Sequence, residues 1–389
     1  MGLQFKHATP SFRVFCGERA LESLPKELDR LGSSRAVLIF GASMRRHSEA
    51  LARVEDALGT RLAGHFDAVK EHSPVSSVES AATVLNELGA DAAIAVGGGS
   101  AVVTARAATI LLCEGGDVRD LCMQKQPDGM MISPKLSAPK IPQWIIPTTP
   151  TTAYAKAGAA LRDPETGKRL ALFDPKTRAQ GVFFDPVLAL TAPIDLAVAS
   201  GLNAFSMSIE GLQMCGDDPL TVALLTHALK ILKTSLDQIR CEPDNPEPRL
   251  QSMVASLLAG QGSDFTGGGL AQVLSHATGP RSSVSNGVIE AMLLASTMRY
   301  NAPMTHKGLA LLANAFSLRS STGDELEHCV MVVDELLGNL QVPSRLREVG
   351  VAYESIPEIV EHALGDWALG RVPRGADAGT LTSLLDSVW

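Results

Sequence analysis

The sequence lacks the features that define several large classes of protein. Its 389 residues carry a formal net charge of −8, and aromatic residues make up only 4%. With no basic stripe either, nothing indicates a nucleic-acid-binding surface. No segment approaches the roughly 20 consecutive apolar residues that a membrane-spanning helix needs. The first ten residues are polar and no apolar core follows them, so we expect no signal peptide and a cytoplasmic protein.

Cysteine is sparse as well, and its spacing excludes the common metal and disulfide motifs. The six cysteines are scattered along the chain, and no two form a Cys-x-x-Cys pair. This distribution is typical of buried free thiols in a reducing compartment. What the chain has instead is a globular composition, with 45% hydrophobic and 20% charged residues. Its length predicts two domains.

Short apolar segments alternate with helical periodicity in the first half of the chain. The apolar segments, each of strand length, lie at residues 35–40, 92–96, 143–146 and 182–184. A helical pattern at residues 79–88 separates the first two. Strands that alternate with helices and are apolar on both faces are typical of a parallel sheet covered on two sides. The proline-rich residues 117–142 predict a long loop within this pattern.

Strand signals almost disappear after Pro193. Helical patterns filled by Ala, Leu, Met and Ser lie at residues 194–214, 220–239, 250–260, 287–300 and 326–340. The sequence therefore predicts an α/β dinucleotide-binding domain with a parallel sheet over residues 1–190. An all-helical domain over residues 191–389 follows it.

Two polar segments follow neighbouring predicted strands. Gly97, Gly98, Gly99 and Ser100 lie where a strand gives way to a helix, and the N–H groups at a helix start attract anions. The segment differs from the Gly-x-Gly-x-x-Gly fingerprint, so a plain tight turn is the alternative. The threonine-rich residues 148–152 follow the next strand, and loops at this edge of a parallel sheet line ligand crevices. Threonines also cap helices, which is the alternative for that segment.

Several segments, taken together and in this order, resemble one family. They are LGADAAIAVGGGS at residues 88–100, IIPTT at 145–149, DPETGKRLALFDP at 163–175, ASGLNAFSMSIEG at 199–211 and LQVPSRLREVGV at 340–351. The chain resembles the iron-containing (group III) alcohol dehydrogenases, which include the maleylacetate reductases. The resemblance covers nearly the whole chain. It implies a dehydroquinate synthase-like fold, an active site in the cleft between two domains, and a homodimer.

The resemblance also implies which residues bind the cofactor. By position, Gly97, Gly98, Gly99 and Ser100 would hold the pyrophosphate of NAD or NADP. The residues that would line the same cofactor are Thr148, Thr149 and Thr152, and Arg169 takes the place of a lysine near the nicotinamide ribose.

Residues after the first predicted strand bear on the choice of cofactor. Many family members have an Asp there that repels a 2′-phosphate, whereas this chain has Gly41, followed by Ser43, Arg45 and Arg46. A missing carboxylate with two nearby cations favours NADP over NAD. The alternative is that both arginines are ordinary surface charges, and NAD then stays open.

The metal ligands of the family are absent. Members that bind iron or zinc use an Asp, a His four residues later, and two further histidines fourteen residues apart. Here these positions hold Asn203, Met207, Gln272 and Asn286. Neutral amides and a thioether do not replace a carboxylate and three imidazoles as ligands of a divalent ion. The sequence predicts no catalytic metal and a neutral polar pocket, with structural filling as the alternative.

His276 keeps the position of a second family histidine near the nicotinamide, four residues after Gln272. We predict a metal-independent, NAD(P)-dependent reductase that acts on an activated carbonyl such as an oxo acid. His276 would donate the proton, while Asn203, Gln272 and Asn286 would stabilise the developing negative charge on oxygen.

Other departures keep an alternative function open. The Asp that follows the glycines in the family is lost, since Ser100 is followed by Ala101, Val102 and Val103. A repurposed family member with isomerase, cyclase or lyase chemistry, or a binding protein without turnover, is therefore the alternative. Arg281 and Arg299 are candidates for a substrate carboxylate, with surface arginines as the alternative for each.

Overall fold

The computed structural model describes residues 4–126, 131–216, 218–318 and 324–389. The chain forms two compact units, one of Pro10–Pro193 and the other of Met1–Thr9 with Ile194–Trp389. No helix in the described ranges combines the length and the hydropathy that crossing a bilayer requires.

Strands and helices alternate through the first unit. The strands are β1 (Arg13–Cys16), β2 (Ala36–Ile39), β3 (Leu62–Phe66), β4 (Ala92–Gly97), β5 (Gln124–Lys125), β6 (Met131–Ile132), β7 (Gln143–Pro147), β8 (Gly158–Arg162), β9 (Arg169–Phe173) and β10 (Gly181–Phe184). The helices are α1 (Leu24–Arg30), α2 (Ser48–Leu58), α3 (Val75–Glu87), α4 (Gly99–Glu114) and α5 (Pro186–Ala189).

Six of these strands form one parallel sheet in the order β1-β10-β7-β4-β2-β3. The central strands β2, β7 and β10 are buried along their whole length. Continuous apolar strands of this kind are stable only where both faces of a sheet are covered. The predicted α/β class with a parallel sheet is therefore confirmed.

Two small antiparallel pairs of strands depart from the predicted pattern. Residues 117–142, predicted to be a loop, contain the two-residue strands β5 and β6; residues 127–130 of this segment lie outside the described residues. The pair β8 and β9, joined by the turn at residues 163–168, was not predicted. Strands of two residues, such as β5 and β6, carry too little periodicity to be recognised.

The second unit is helical, as predicted. Its helices are α6 (Ile194–Met214), α7 (Pro219–Cys241), α8 (Pro246–Thr266), α9 (Leu270–Thr278), α10 (Asn286–Asn301), α11 (His306–Ala315), α12 (Glu325–Asn339), α13 (Ile356–Leu364) and α14 (Ala378–Val388). The local sequence determines where several of these helices begin. Asp218 and Asn245 cap α7 and α8 through their side-chain oxygens, and a proline follows each cap. Proline suits the first helical position because its missing N–H would have no partner there.

Helix α10 approaches α6 closely at Gly287. A Cβ atom at this glycine would lie 2.2 Å from the carbonyl oxygen of Ala199 and 3.1 Å from the backbone nitrogen of Asn203. Any larger residue would therefore push the two helices apart. The contact also brings the first turn of α10 next to the backbone of Asn203.

We expect Gly287→Ala to lower the free energy of unfolding by about 1–3 kcal/mol, because the added methyl group overpacks the contact between α6 and α10. Gly338→Ala is the matched control: Gly338 lies in α12, with nothing within 4 Å of an added Cβ. That substitution should leave stability unchanged or raise it by up to about 1 kcal/mol. Urea denaturation followed by circular dichroism measures both. Equal stability of the two variants would contradict the close approach.

Candidate functional site

The glycine turn and the threonine loop lie side by side in the first unit. Strands β4 and β7 are neighbours, with Gly97 in register with Pro147. Gly97 has φ +138°, in the region that favours glycine. A Cβ atom on Gly98 would lie 2.8 Å from Thr149 Oγ1, so the turn lies too close to the threonine loop for a side chain. No described side chain caps the start of α4, and its N–H groups can meet an anion.

The threonine loop is buried and held in place by hydrogen bonds. Thr148, Thr149 and Thr152 are each less than a tenth exposed. The backbone nitrogen of Thr148 donates to the carbonyl oxygen of Gly97 at 3.1 Å, and the hydroxyl of Tyr154 donates to the carbonyl oxygen of Thr149. The structure therefore brings together the predicted residues of the two loops.

A segment that the sequence did not reveal completes this edge. His72 and Ser73 have φ values of +61° and +46°, which non-glycine residues rarely adopt. The backbone nitrogen of His72 donates to Ser100 Oγ at 3.3 Å, and Ser73 Oγ donates to the carbonyl oxygen of Ser100 at 3.1 Å. Neither residue type signals such a conformation, so no sequence pattern could have found the segment.

Arg169 lies at one end of the β8–β9 pair, where it is exposed. Its partner across the two strands is Arg162, whose backbone nitrogen donates to the carbonyl oxygen of Ser73 at 3.3 Å. The pair of strands therefore adjoins the segment that contacts Ser100.

The two arginines after β2 differ in their surroundings. Ser43, Arg45 and Arg46 lie in an exposed 3₁₀ turn over Ala42–Arg46. Arg45 is paired with the carboxylate of Asp67, and this ion pair holds the pKa of Asp67 below its usual value. In the described part of the chain, Arg46 has no carboxylate partner. Of the two, Arg46 is the cation whose charge is not already matched by an acidic side chain.

In the second unit, Asn203, Met207 and Glu210 lie on one face of α6, at helical spacing. The Nδ2 atom of Asn203 donates to Glu290 Oε2 at 2.5 Å, and Glu290 on α10 is fully buried. Together with the close approach at Gly287, this bond fixes α10 against α6. It places Asn203 and Asn286 in the same part of the helical unit.

Glu210 connects the same face of α6 to α9. Its carboxylate accepts hydrogen bonds from the backbone nitrogens of Ala271 at 2.7 Å and Gln272 at 3.2 Å. Burial raises the pKa of Glu210 to about 7, and the backbone N–H groups oppose this shift. The contact brings the first turn of α9, and with it Gln272, to α6. Glu210 lies three residues after Met207, on the same face of the helix. This spacing could have identified Glu210 in the sequence, but the residue was not predicted.

His276 lies one turn after Gln272 on α9 and has a carboxylate partner. Its Nδ1 atom lies 2.7 Å from Asp366 Oδ2. The two side chains are 11% and 6% exposed, so the pair is largely shielded from water. Asp366 was not predicted, because it follows His276 by 90 residues and no local pattern connects them.

The two arginines considered for a substrate carboxylate are paired within the chain. Arg281 contacts Glu358 and donates to the carbonyl oxygen of Ala277 at 2.9 Å. Arg299 pairs with Glu327 at 2.7 Å. Both arginines therefore stabilise contacts between helices, and the alternative of ordinary structural arginines fits them better.

The residues present do not fit the divalent metal site of the family. In the described ranges, no group of three or more His, Cys, Asp and Glu side chains could hold a metal ion. The four family positions offer amide oxygens and a thioether, which are poor ligands for iron or zinc. Of the carboxylates nearby, Glu290 accepts from Asn203 through Oε2, and Glu210 accepts from the start of α9.

A parallel sheet with a glycine turn at the start of a helix, followed by a helical unit, is the architecture of a class of nicotinamide-dependent oxidoreductases. The chain belongs to the iron-containing alcohol dehydrogenase family. Residues 10–186 match "Iron-containing alcohol dehydrogenase", and residues 197–389 match "Fe-containing alcohol dehydrogenase family, C-terminal". The predicted family and the predicted oxidoreductase class are confirmed.

Individual relatives are reductases or dehydrogenases of similar length. Maleylacetate reductase 1 of Cupriavidus pinatubonensis is 26% identical over 376 residues, which cover 96% of this chain and 94% of that protein. Lactaldehyde reductase of Escherichia coli K12 is 29% identical over 384 residues, covering 96% and 97%. The structure of an alcohol dehydrogenase from Oenococcus oeni superposes with a TM-score of 0.90 at 22% identity, covering 99% of this chain and 100% of that one.

The raised pKa of Glu210 predicts a pH-dependent contribution to stability. Between about pH 4.5 and 7 the folded protein retains a proton that the unfolded chain has released, so stability from this group falls as pH rises. Relative to Glu210→Gln, which cannot titrate, the native protein should lose up to about 3 kcal/mol across this range. Urea denaturation at several pH values measures the difference. Glu247→Gln, at an exposed carboxylate of α8, is the control, and a flat difference for Glu210→Gln would contradict the prediction.

Proposed function

We propose that the chain is an NADPH-dependent reductase that acts on an activated carbonyl, such as that of an oxo acid, without a metal ion. The observation that carries this proposal is the set of Asn203, Met207, Gln272 and Asn286 on α6, α9 and α10. These residues stand where the family has its ligands, and they offer hydrogen bonds instead of a cation site. We further propose a homodimer, as the family implies.

The α/β unit supplies the cofactor site in this proposal. The glycine turn leaves the start of α4 open to a pyrophosphate, and the threonine loop lies against it. A side chain at Gly98 would collide with Thr149, so glycine keeps the two loops together. The N–H groups at the start of α4 then suit a bound phosphate. NADP is favoured because Arg46 is available for a 2′-phosphate and Gly41 removes the carboxylate that would repel one.

The helical unit supplies the chemistry at the carbonyl. Bound NADPH supplies a hydride to the carbonyl carbon, and the carbonyl oxygen then needs a proton. His276 donates that proton, because imidazole is the side chain that exchanges protons near neutral pH. Asn286 and Gln272 donate amide hydrogen bonds to the oxygen as negative charge develops on it. Asn203 has one amide hydrogen committed to Glu290, so only its other hydrogen is available.

The proposed substrate class follows because these amides stabilise negative charge on the substrate oxygen less strongly than a metal ion does. A single well-placed donor to an oxyanion contributes roughly 3–4 kcal/mol in a known enzyme. Two or three amides replace only part of what a divalent ion provides as a Lewis acid. A carbonyl made electrophilic by a neighbouring carboxyl or alkene group needs less assistance. The relatives named for maleylacetate support the same choice of substrate class.

We expect the purified protein to bind NADPH and to reduce activated carbonyls at an undiminished rate after treatment with a chelator. NADPH titration by fluorescence tests binding, and a panel of 2-oxo acids, unsaturated oxo acids and simple aldehydes, followed at the absorbance of the reduced cofactor, tests turnover. Elemental analysis should find iron and zinc far below one atom per chain.

The matched control restores all four family ligands through Asn203→Asp, Met207→His, Gln272→His and Asn286→His. This variant should bind one zinc or iron ion per chain. Stoichiometric metal in the native protein, or loss of turnover with the chelator, would contradict metal independence. No binding at millimolar NADPH would reject the reductase and favour the isomerase, cyclase, lyase or binding-protein alternative.

Cofactor choice gives a second test. Arg46→Ala should raise the KM for NADPH about 10–100-fold, because it removes a charge-assisted hydrogen bond to the 2′-phosphate. The KM for NADH should stay unchanged. Arg45→Ala is the control: Arg45 is already paired with Asp67 and should affect NADPH less. Equal losses with NADPH and NADH in Arg46→Ala would show that Arg46 does not recognise the phosphate.

A further inference from the structure

Asp366 lies on one side of the His276 imidazole and is held in place there. The Nδ1 atom of His276 lies 2.7 Å from Asp366 Oδ2. The other carboxylate oxygen, Oδ1, accepts a hydrogen bond from the backbone nitrogen of Ala368 at 2.8 Å. Asp366 therefore has both oxygens engaged, and its side chain is 6% exposed. A carboxylate held in this way has little freedom to rotate away from the imidazole.

Trp367 packs beside the same imidazole. The centroids of the His276 and Trp367 rings are 6.1 Å apart, with 35° between the ring planes. The short segment that follows α13 thus contributes a hydrogen-bond acceptor and an aromatic wall to one residue of α9. This arrangement limits the rotation of the ring and shields it from water.

Such a contact decides where the imidazole carries its protons. A carboxylate that accepts a hydrogen bond from Nδ1 keeps the proton of the neutral ring on Nδ1. When the ring is charged, its second proton lies on Nε2, the atom opposite to Asp366. The same negative charge stabilises the charged ring. His276 can then release a proton only from a fixed position.

Other charged groups around α9 are engaged elsewhere or lie at its ends. From the elements packed against this helix they are Glu210 on α6, Glu290 on α10, Arg281 in the following 3₁₀ turn, Glu358 and His362 on α13, and Arg371. Glu210 binds the first turn of α9, Glu290 accepts from Asn203, and Arg281 pairs with Glu358. Asp366 is a carboxylate that the structure places directly on the imidazole.

We propose that Asp366 is a positioning residue for His276: it fixes the Nδ1–H tautomer and holds Nε2 as the atom that donates the proton. The catalytic part of this inference rests on the proposed reductase function. The positioning part concerns the histidine alone and can be measured without substrate.

The test compares the native protein with Asp366→Asn. In ¹⁵N-histidine NMR spectra, the His276 signal, assigned by its loss in His276→Gln, should show the Nδ1–H tautomer in the native protein. In Asp366→Asn the neutral ring should be a mixture of the Nδ1–H and Nε2–H tautomers, or mainly the Nε2–H form. The midpoint of the imidazole titration should move to lower pH by about one unit or more. With an accepted carbonyl substrate, kcat should fall about 100-fold while KM changes less than about threefold.

Two further variants separate positioning from general stability. Glu358→Gln removes an exposed carboxylate near the same end of α9 and should leave the His276 signal, its titration and kcat unchanged. Asp366→Glu restores the charge and should recover part of kcat and of the titration midpoint. Thermal unfolding of each variant shows whether it is folded under the conditions of the measurements.

The outcomes are distinct. A His276 signal and titration that do not change in Asp366→Asn would overturn the proposal, whatever the protein catalyses. A changed tautomer with unchanged kcat and pH profile would overturn the role of the pair in proton donation. If the tautomer depends on Asp366 but no carbonyl is reduced by the native protein, the positioning is supported and the proposed function fails.

Discussion

The carboxylate of Glu210 is the interaction on which the helical site depends. Three helices must meet for Asn203, Gln272 and Asn286 to share one region, and Glu210 joins the first two through the N–H groups of α9. Hydrogen-bond acceptors at a helix start are favourable because those N–H groups have no partners within the helix. Close packing at Gly287 then joins the third helix. The polar residues are thus placed by backbone contacts, which do not require a metal ion.

The charged and uncharged side chains of this region agree with the loss of the family's metal ligands. A divalent ion would need carboxylate and imidazole ligands, and its removal would leave any such carboxylate buried without compensation. In this chain the carboxylate position of the family holds an amide. Of the two buried carboxylates in this region, Glu210 accepts from two backbone N–H groups of α9, and Glu290 accepts from Asn203 through Oε2. The four positions where the family has its metal ligands thus carry uncharged side chains, with hydrogen-bonded acids beside them.

The sequence predicted the parts of the fold that have strong local signals. The glycine turn, the apolar strands and helix α6 were placed correctly because each is long or distinctive. The β8–β9 pair was not predicted, and the two-residue strands β5 and β6 are too short to give a clear period. At the site, the resemblance to the family identified the predicted residues by their positions. It did not identify Asp366 or Glu290. Their partners lie far away in sequence, and only tertiary structure brings an acid of one helix or loop to a side chain of another.

The segment at His72 and Ser73 has a consequence for how this protein balances stability against binding. Two successive non-glycine residues in the left-handed region cost about 1–2 kcal/mol each. Hydrogen bonds to Ser100 hold them there, beside the start of α4. The fold therefore gives up stability beside the glycine turn to keep a defined backbone shape. A glycine at either position would relax the chain, and the gain in stability would come with a less rigid wall around the proposed cofactor site.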